Sequence, residues 1–142
     1  MTKVSATTDL AVPAQTVWDV IGGFNAVPDW HPAVAKSETT EESGAKVRTL
    51  TLVGGAGKIV ERLESVNPGE RTYTYSILSG PLPVANYVAS IRVKEQSNGP
   101  GCTIEWSSEF EAAGASEGDA AAAVRGIYEA GFENLKRMFG AA

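Results

Sequence analysis

Hydrophobic and polar residues alternate along most of the middle of this chain, as they do in β-strands, where successive side chains point to opposite faces. The alternation predicts seven strands, at 2–11, 34–39, 46–53, 58–66, 71–78, 86–95 and 102–112. Turns rich in glycine and proline separate several of them, at 54–57, 67–69, 80–83 and 98–101. Because short turns join consecutive strands into hairpins, we expect an antiparallel sheet.

Two further segments have helical rather than strand spacing. Apolar residues at 17–24 follow a proline and form a helical stripe, which a glycine pair at 22–23 ends or bends. A short second helical turn is predicted between Phe24 and Trp30. The alanine-rich segment 117–139 predicts a long helix, with Ser116 as its N-cap and acidic residues in its first turn.

The order of these elements predicts the architecture. A sheet with one apolar face must cover that face, and the C-terminal helix, roughly 30 Å long, is the element that can do so. We therefore predict a single α+β domain over residues 1–142, in the order β-α-α-β6-α. Its curved antiparallel sheet would wrap around the long C-terminal helix.

Alternation also predicts which side chains face that helix. The inner faces of five consecutive strands agree in character, which is stronger evidence than any one strand. They are mostly large and apolar, yet they include the polar residues Arg48, Glu61, Tyr73, Tyr75, Tyr87 and Ser108. Glu61 lies there between Ile59 and Leu63, unless a β-bulge shifts the register and turns it outward.

An arginine and a glutamate on an apolar face argue against a closed core. Burying the two charges costs several kcal/mol per ion unless hydrogen bonds compensate. In the covering helix, Gly126 and Gly131 leave space or allow close approach. Together these features predict an internal cavity for a small molecule.

Composition and charge exclude several classes of function. The apolar fraction of 43% and the charged fraction of 20% are typical of a globular protein. A net charge of -5 without a basic cluster argues against nucleic-acid binding. One cysteine excludes an internal disulfide, and the first residues show no secretory or membrane-spanning segment. We therefore expect a cytoplasmic protein that does not bind a membrane.

Motifs for other chemistry are missing from the sequence. One histidine and one cysteine provide no recognisable set of metal ligands, and no serine or cysteine lies in a nucleophile motif. The segment 54–58 fails as a phosphate loop, because Leu52 and Ile59 occupy positions that the motif reserves for other residues. We expect neither a metal nor a cofactor. His31, between Trp30 and Pro32, is expected at a surface position of its loop rather than in catalysis.

Several stretches resemble a known family. They are VWDVIGGF at 17–24, WHP at 30–32, VERL at 60–63, PLPVANY at 81–87 and GFENLK at 131–136. Together with the element order, they resemble the START-like (SRPBCC) superfamily and its polyketide cyclase/dehydrase-like branch. The resemblance implies the helix-grip fold and a cavity that holds a small hydrophobic or aromatic molecule. It covers nearly the whole chain, but this fold carries many functions.

Plant lachrymatory-factor synthases are similar in this pattern and use an arginine, a glutamate and a tyrosine inside the cavity. The resemblance implies these roles for Arg48, Glu61 and Tyr87. From the residues alone, Glu61 and Arg48 are either an acid/base pair or a structural ion pair. The remaining residues predicted to contact a ligand are Trp30, Tyr73, Tyr75, Trp106, Ser108, Tyr128, Gly131 and Leu135.

Three functions remain open at this point. The first is a cofactor-free cyclase, dehydratase or lyase, in which Glu61 moves a proton, Arg48 sets its charge or holds an oxyanion, and Tyr87 donates a hydrogen bond. The second is a non-catalytic carrier of a lipid or polyketide-like ligand. The third is an interaction module of the co-chaperone kind, which the mixed polar surface of the strands does not favour. The sequence carries no signal for an oligomeric state.

Overall fold

Seven strands and two α-helices make up the protein, and the computed structural model describes residues 1–141. The elements are β1 (Thr2–Leu10), α1 (Ala14–Ile21), β2 (Val34–Glu42), β3 (Ala45–Leu52), β4 (Lys58–Asn67), β5 (Thr72–Ser79), β6 (Val84–Glu95), β7 (Cys102–Ala112) and α2 (Glu117–Phe139). The strands form one antiparallel sheet in the order β1-β7-β6-β5-β4-β3-β2. The predicted α+β class and helix-grip architecture are confirmed.

The N-terminal helical region agrees with its prediction. Helix α1 ends at Ile21, directly before the glycine pair, and the predicted helical turn between Phe24 and Trp30 is a single 3-10 turn, Val27–Asp29. Pro28 supplies no N–H, and only a few residues separate the glycine pair from Pro32. That length accommodates one turn but no ladder of helical hydrogen bonds.

Helix α2 begins and ends as its sequence predicts. The Ser116 hydroxyl accepts a hydrogen bond from the Asp119 N–H at 3.1 Å, which caps the helix. Acidic residues occupy its first turn and basic residues its last, so both ends complement the helix dipole. Its buried stripe packs mainly on β1 and β7 and consists of Ala120, Val124, Tyr128, Gly131, Phe132 and Leu135. No helix within residues 1–141 has the length and apolar character needed to cross a bilayer.

The apolar interior falls into two clusters. The larger one lies between the sheet and the two helices and contains most of the aromatic side chains. The smaller one consists of Val27, Val34, Leu50 and Ile59, at the end of the sheet formed by β2, β3 and β4. Burial follows the predicted inner faces of the strands, so the alternation in the sequence orients the sheet correctly.

Two register shifts between β4 and β5 surround Glu61 without turning it outward. One extra residue lies on each strand, Leu78 on β5 and Glu64 on β4, and both are exposed. Because these bulges place the extra side chains on the outer face, Glu61 keeps its inward orientation. Its neighbours across the strands are Arg48 on β3 and Ile77 on β5.

Candidate functional site

A cavity of about 200 Å³ separates the two apolar clusters, and its wall is almost entirely apolar. Larger depressions exist, such as the 330 Å³ groove beside Lys3, Ser90 and Glu109, but they are more open than this cavity and have more polar walls. The predicted site residues on the cavity wall are Trp30, Arg48, Glu61, Tyr73, Tyr75, Tyr87 and Trp106. The structure thus brings the acidic, basic and phenolic candidates together around one space.

Arg48 and Glu61 form a buried ion pair at this wall. They are direct neighbours across β3 and β4, and their side chains are 3% and 6% exposed. Arg48 Nε donates to Glu61 Oε1 at 2.7 Å, and Arg48 Nη2 lies 2.7 Å from the same oxygen. Both of these contacts are made to Oε1, and neither uses Glu61 Oε2.

The guanidinium of Arg48 is committed to protein groups. Its Nη1 donates to the Phe24 carbonyl at 2.6 Å and, weakly, to the Tyr73 hydroxyl at 3.4 Å. Its Cζ lies 4.1 Å from the centre of the Phe24 ring and 5.0 Å from that of Tyr75, within the range of cation–π attraction. Arg48 therefore holds Glu61 in place more readily than it binds a ligand.

Burial and the ion pair act in opposite directions on Glu61. Burial raises the pKa of its carboxyl above the ordinary value, and the charge and hydrogen bond of Arg48 oppose that rise. The net direction is upward. A carboxyl with a raised pKa exchanges its proton closer to neutral pH than an exposed glutamate does.

Hydroxyl groups form a second polar network at the cavity, which begins at Tyr75 beside the ion pair. Trp106 Nε1 donates to the Tyr75 hydroxyl at 3.0 Å, and that hydroxyl lies 3.4 Å from the Tyr87 hydroxyl. The Tyr87 hydroxyl also bonds to that of Tyr128. Burial raises the pKa of Tyr75 and Tyr87 well above the ordinary value and that of Tyr128 to about 12. These phenols are therefore neutral near pH 7 and available as donors.

The expectation of a surface position for His31 is wrong. Its side chain lines the cavity, and the residue is only 3% exposed. The Nε2–H group donates to the Ile127 carbonyl of α2 at 2.8 Å, and Nδ1 accepts from the Ala33 N–H at 3.2 Å. This pair of partners defines the neutral tautomer, and burial lowers the pKa of the imidazole.

Four of the residues predicted to contact a ligand lie outside the cavity wall. Ser108, Tyr128, Gly131 and Leu135 are buried, but they do not line the cavity. Helix α2 instead reaches the cavity through Ile127. Alternation and helical spacing predict the face on which a side chain lies, but not its depth within the packed layer.

Gly131 allows three aromatic rings to pack closely against helix α2 and leaves no empty space there. A Cβ atom there would lie 2.9 Å from the Trp30 ring, 3.0 Å from the His31 ring and 3.3 Å from the Trp106 ring. Asn134 Nδ2 donates to the Trp30 carbonyl at 2.9 Å one helical turn further on. Gly126, by contrast, is exposed and meets no atom within 4 Å. It contributes nothing to the cavity.

Sequence reasoning did not identify several wall residues. Leu50, Ile59 and Ile77 lie on the predicted inner face, but apolar residues there do not differ in pattern from core residues. Others belong to irregular segments or to the first residue of a strand, namely Val27, Ala33 and Leu82, and Val34 at the start of β2. Nothing in residues 1–141 brings three His, Cys, Asp or Glu side chains together as metal ligands.

The chain is similar to several solved structures. A protein from Bacillus thuringiensis is 39% identical, with a TM-score of 0.90 over 96% of this chain and 98% of that one. The protein XoxI from Bacillus cereus is 37% identical, with a TM-score of 0.90 over 98% of this chain and 96% of that one. The Zhui aromatase/cyclase from Streptomyces sp. R1128 is 20% identical, covers 96% and 94% of the two chains, and shares the fold with a TM-score of 0.71.

No protein with a curated description matches this sequence. The sequence profile of one family, polyketide cyclase/dehydrase and lipid transport, matches residues 1–140. This match confirms the resemblance seen in the sequence and supports ligand binding or a cyclase-like function. The chain belongs to the polyketide cyclase/dehydrase and lipid transport family.

Proposed function

We propose that this protein binds a small, neutral, mostly apolar molecule in its cavity and moves a proton on it, with Glu61 as the general acid/base. The observation that carries the proposal is the position of Glu61. Its carboxylate lies on an apolar cavity wall, and both Arg48 nitrogens that contact it share Oε1 and leave Oε2 outside the ion-pair contacts. A cyclase, a dehydratase or a lyase each needs such a proton transfer.

The surroundings of Glu61 suit this role. A positioned carboxyl whose pKa is raised toward the working pH contributes about 10²–10⁴-fold to a proton transfer. Arg48 fixes the orientation of the carboxylate and stabilises its anionic form, so the base is ready before the substrate binds. The neutral phenols on the cavity wall supply hydrogen-bond donors.

A test of proton transfer does not require the natural substrate. Acetophenone, a single-ring ketone, exchanges the hydrogens next to its carbonyl for deuterium when a base removes them. In D₂O, proton NMR is expected to show faster exchange with the parent protein than with buffer. The variant Glu61→Gln should slow the enzymatic exchange by about 100-fold or more.

The matched control is Glu64→Gln on the same strand. Glu64 is an exposed carboxylate on the outer face, paired with Arg62 and Ser76, so its loss should leave exchange unchanged. Circular dichroism establishes that both variants are folded. Exchange by Glu61→Gln at the parent rate would remove Glu61 from the mechanism.

The almost wholly apolar wall supports a second candidate, a non-catalytic binder of the same kind of molecule. In that case Glu61 and Arg48 act together as a neutral, structural pair. The parent protein would then bind acetophenone in calorimetry but would not accelerate deuterium exchange. Binding without exchange for a range of single-ring ketones would favour this carrier role.

A further inference from the structure

We propose that Tyr75, oriented by Trp106, is the hydrogen-bond donor that binds the ligand's oxygen, and that the ligand is a neutral molecule of about the size of one ring. The inference rests on the proposed function, because it assumes that the cavity is the binding site. It assigns to Tyr75 the role that sequence resemblance implies for Tyr87.

Trp106 determines how the Tyr75 hydroxyl is used. An indole N–H is only ever a donor, so Tyr75 must accept the 3.0 Å bond from Trp106. The Trp106 ring stacks on the Tyr128 ring with 4.2 Å between the ring centres, and its centre lies 5.5 Å from that of Trp30. These contacts hold the Trp106 N–H in place. The hydrogen of Tyr75 itself must therefore point to another acceptor.

The protein offers that hydrogen only a poor acceptor. Among residues 1–141, the hydroxyl partner of Tyr75 is Tyr87, at an O–O distance of 3.4 Å, longer than the roughly 2.5–3.0 Å of a good hydroxyl hydrogen bond. Tyr87 is instead engaged with Tyr128, its second partner. A ligand oxygen in the cavity is a better acceptor for Tyr75 than Tyr87 is.

Tyr75 is also better placed beside Glu61 than Tyr73, the third phenol on the cavity wall. Glu61 lies opposite Ile77, and Tyr75 is two residues further along β5 on the same face, so it is the diagonal neighbour of Glu61. Tyr73 lies another two residues away from Glu61, and the 3.4 Å bond that its hydroxyl accepts from Arg48 is longer than the 3.0 Å bond that Tyr75 accepts from Trp106. A hydroxyl that accepts a bond is polarised into a stronger donor.

The cavity limits the size and charge of the ligand. An apolar cavity of about 150 Å³ holds benzene, and this one measures about 200 Å³. One ring with a few substituent atoms fits, whereas several fused rings or a long acyl chain do not fit inside. The opposite charges of Arg48 and Glu61 cancel, so the wall offers no counter-ion for a charged ligand.

The test compares two ligands of nearly the same shape. Acetophenone carries a carbonyl oxygen where α-methylstyrene carries a CH₂ group, so the ratio of their dissociation constants reports the hydrogen bond to that oxygen. In calorimetry, the parent protein is expected to prefer the ketone about five-fold, equivalent to one net hydrogen bond. Tyr75→Phe should reduce this preference to near unity.

Parallel variants decide between the candidate donors. Trp106→Phe leaves Tyr75 in place but removes the group that orients it, so it should weaken the preference without abolishing it. A preference that survives in Tyr75→Phe, or that is lost only in Tyr87→Phe or Tyr73→Phe, would overturn the assignment. So would equal affinity of the parent for both ligands, or binding of neither.

These outcomes are separable from those of the deuterium-exchange test. Binding is measured at equilibrium and needs no turnover, so a protein that binds the ketone without exchanging its hydrogens still tests Tyr75. Conversely, Glu61 can prove catalytic while the preference is unchanged in Tyr75→Phe. The melting temperature of each variant establishes that the folded protein is compared in every case.

Discussion

Arg48 contacts Glu61 through two nitrogens that share a single carboxylate oxygen, Oε1. This geometry is compatible with both interpretations that the sequence leaves open, an acid/base pair and a structural ion pair. The pair is an ion pair at Oε1, and neither nitrogen contact uses the second oxygen, Oε2, of a carboxylate that lines the cavity. A bidentate arrangement that occupied both oxygens would have left the site without a free base.

The first prediction concerns removal of Arg48. Arg48→Met leaves a buried carboxylate without its cation, and we expect the free energy of unfolding to fall by about 3 kcal/mol at pH 7. Because the charge and hydrogen bond of Arg48 oppose the rise that burial causes in the pKa of Glu61, that pKa should be higher in the variant than in the parent, and protonation then neutralises the unpaired charge in the variant. The loss should therefore shrink as the pH is lowered from 7 to 5, which urea denaturation at both pH values measures.

The control for this prediction is the double variant Arg48→Met with Glu61→Leu. Replacing a buried ion pair by apolar side chains of similar size is often neutral or stabilising. The second substitution should therefore recover most of the stability lost by the first. Equal losses in the single and double variants would show that Arg48 matters through its packing on Phe24 rather than through charge.

The second prediction uses the single histidine of the chain. Burial lowers the pKa of His31 below its ordinary 6.5, so the unfolded chain binds the proton more readily than the folded protein does. Stability from this group is complete above pH 6.5 and is lost as the pH falls toward the lowered value. Protonation also deprives the Ala33 N–H of its acceptor, Nδ1.

Proton NMR of the imidazole should give a pKa below 6.5 in the folded protein. In denaturation experiments, the parent should lose more stability than His31→Gln between pH 7 and pH 5. The difference between the two proteins isolates His31 from the carboxylates that titrate in the same range. An imidazole that titrates at its ordinary value would contradict the buried position.

The third prediction contrasts two glycines of one helix. Gly131→Ala places a Cβ within 3.0 Å of two rings, so we expect a loss of about 1–3 kcal/mol from overpacking. Gly126→Ala is exposed and meets nothing, so it should stabilise the protein by about 0.5–1 kcal/mol through helix propensity. Denaturant unfolding of both variants against the parent measures the contrast. A gain in both would mean that the rings of Trp30 and His31 move aside at little cost.

The fourth prediction concerns the bulge that carries Tyr87 into the cavity. On β6, Asn86 and Tyr87 together oppose Phe110, and Asn86 has a left-handed φ of 54°. Asn86→Gly should be nearly neutral, whereas Asn86→Val should cost about 1–2 kcal/mol, because a β-branched residue resists this conformation. Thermal unfolding of the two variants provides the measurement. Similar stability of both would show that the bulge can relocate.

Much of the fold follows from local pattern in the sequence. Alternation identifies the strands and their inner faces, glycine and proline identify the turns, and helical spacing with a capping serine bounds the last helix at 117–139. These signals are local because each depends on residues close together in the chain. In the N-terminal helical region, the glycine pair likewise ends α1, and a single turn follows it before Trp30.

Only part of the candidate site could be predicted from the sequence. The alternation along the strands places Arg48, Glu61 and the tyrosines on one face. The register across the strands decides which carboxylate oxygen Arg48 contacts and which phenol lacks a good acceptor for its hydrogen. His31 shows the limit most clearly. His31 lies in a loop without periodicity. Its ring is buried against Gly131 of α2, and its Nε2–H donates to the Ile127 carbonyl of the same helix, 96 residues away in the sequence.

By itself, the sequence determined the sheet, its apolar inner face, the covering helix and the presence of an acid and a base on that face. These depend on the periodicity of side chains along each element. The tertiary structure alone decided that a cavity of about 200 Å³ separates the two apolar clusters, that Arg48 occupies one oxygen of Glu61, and that Trp106 directs Tyr75. Distances between side chains on different elements decide these features, and no local pattern in a chain encodes such distances.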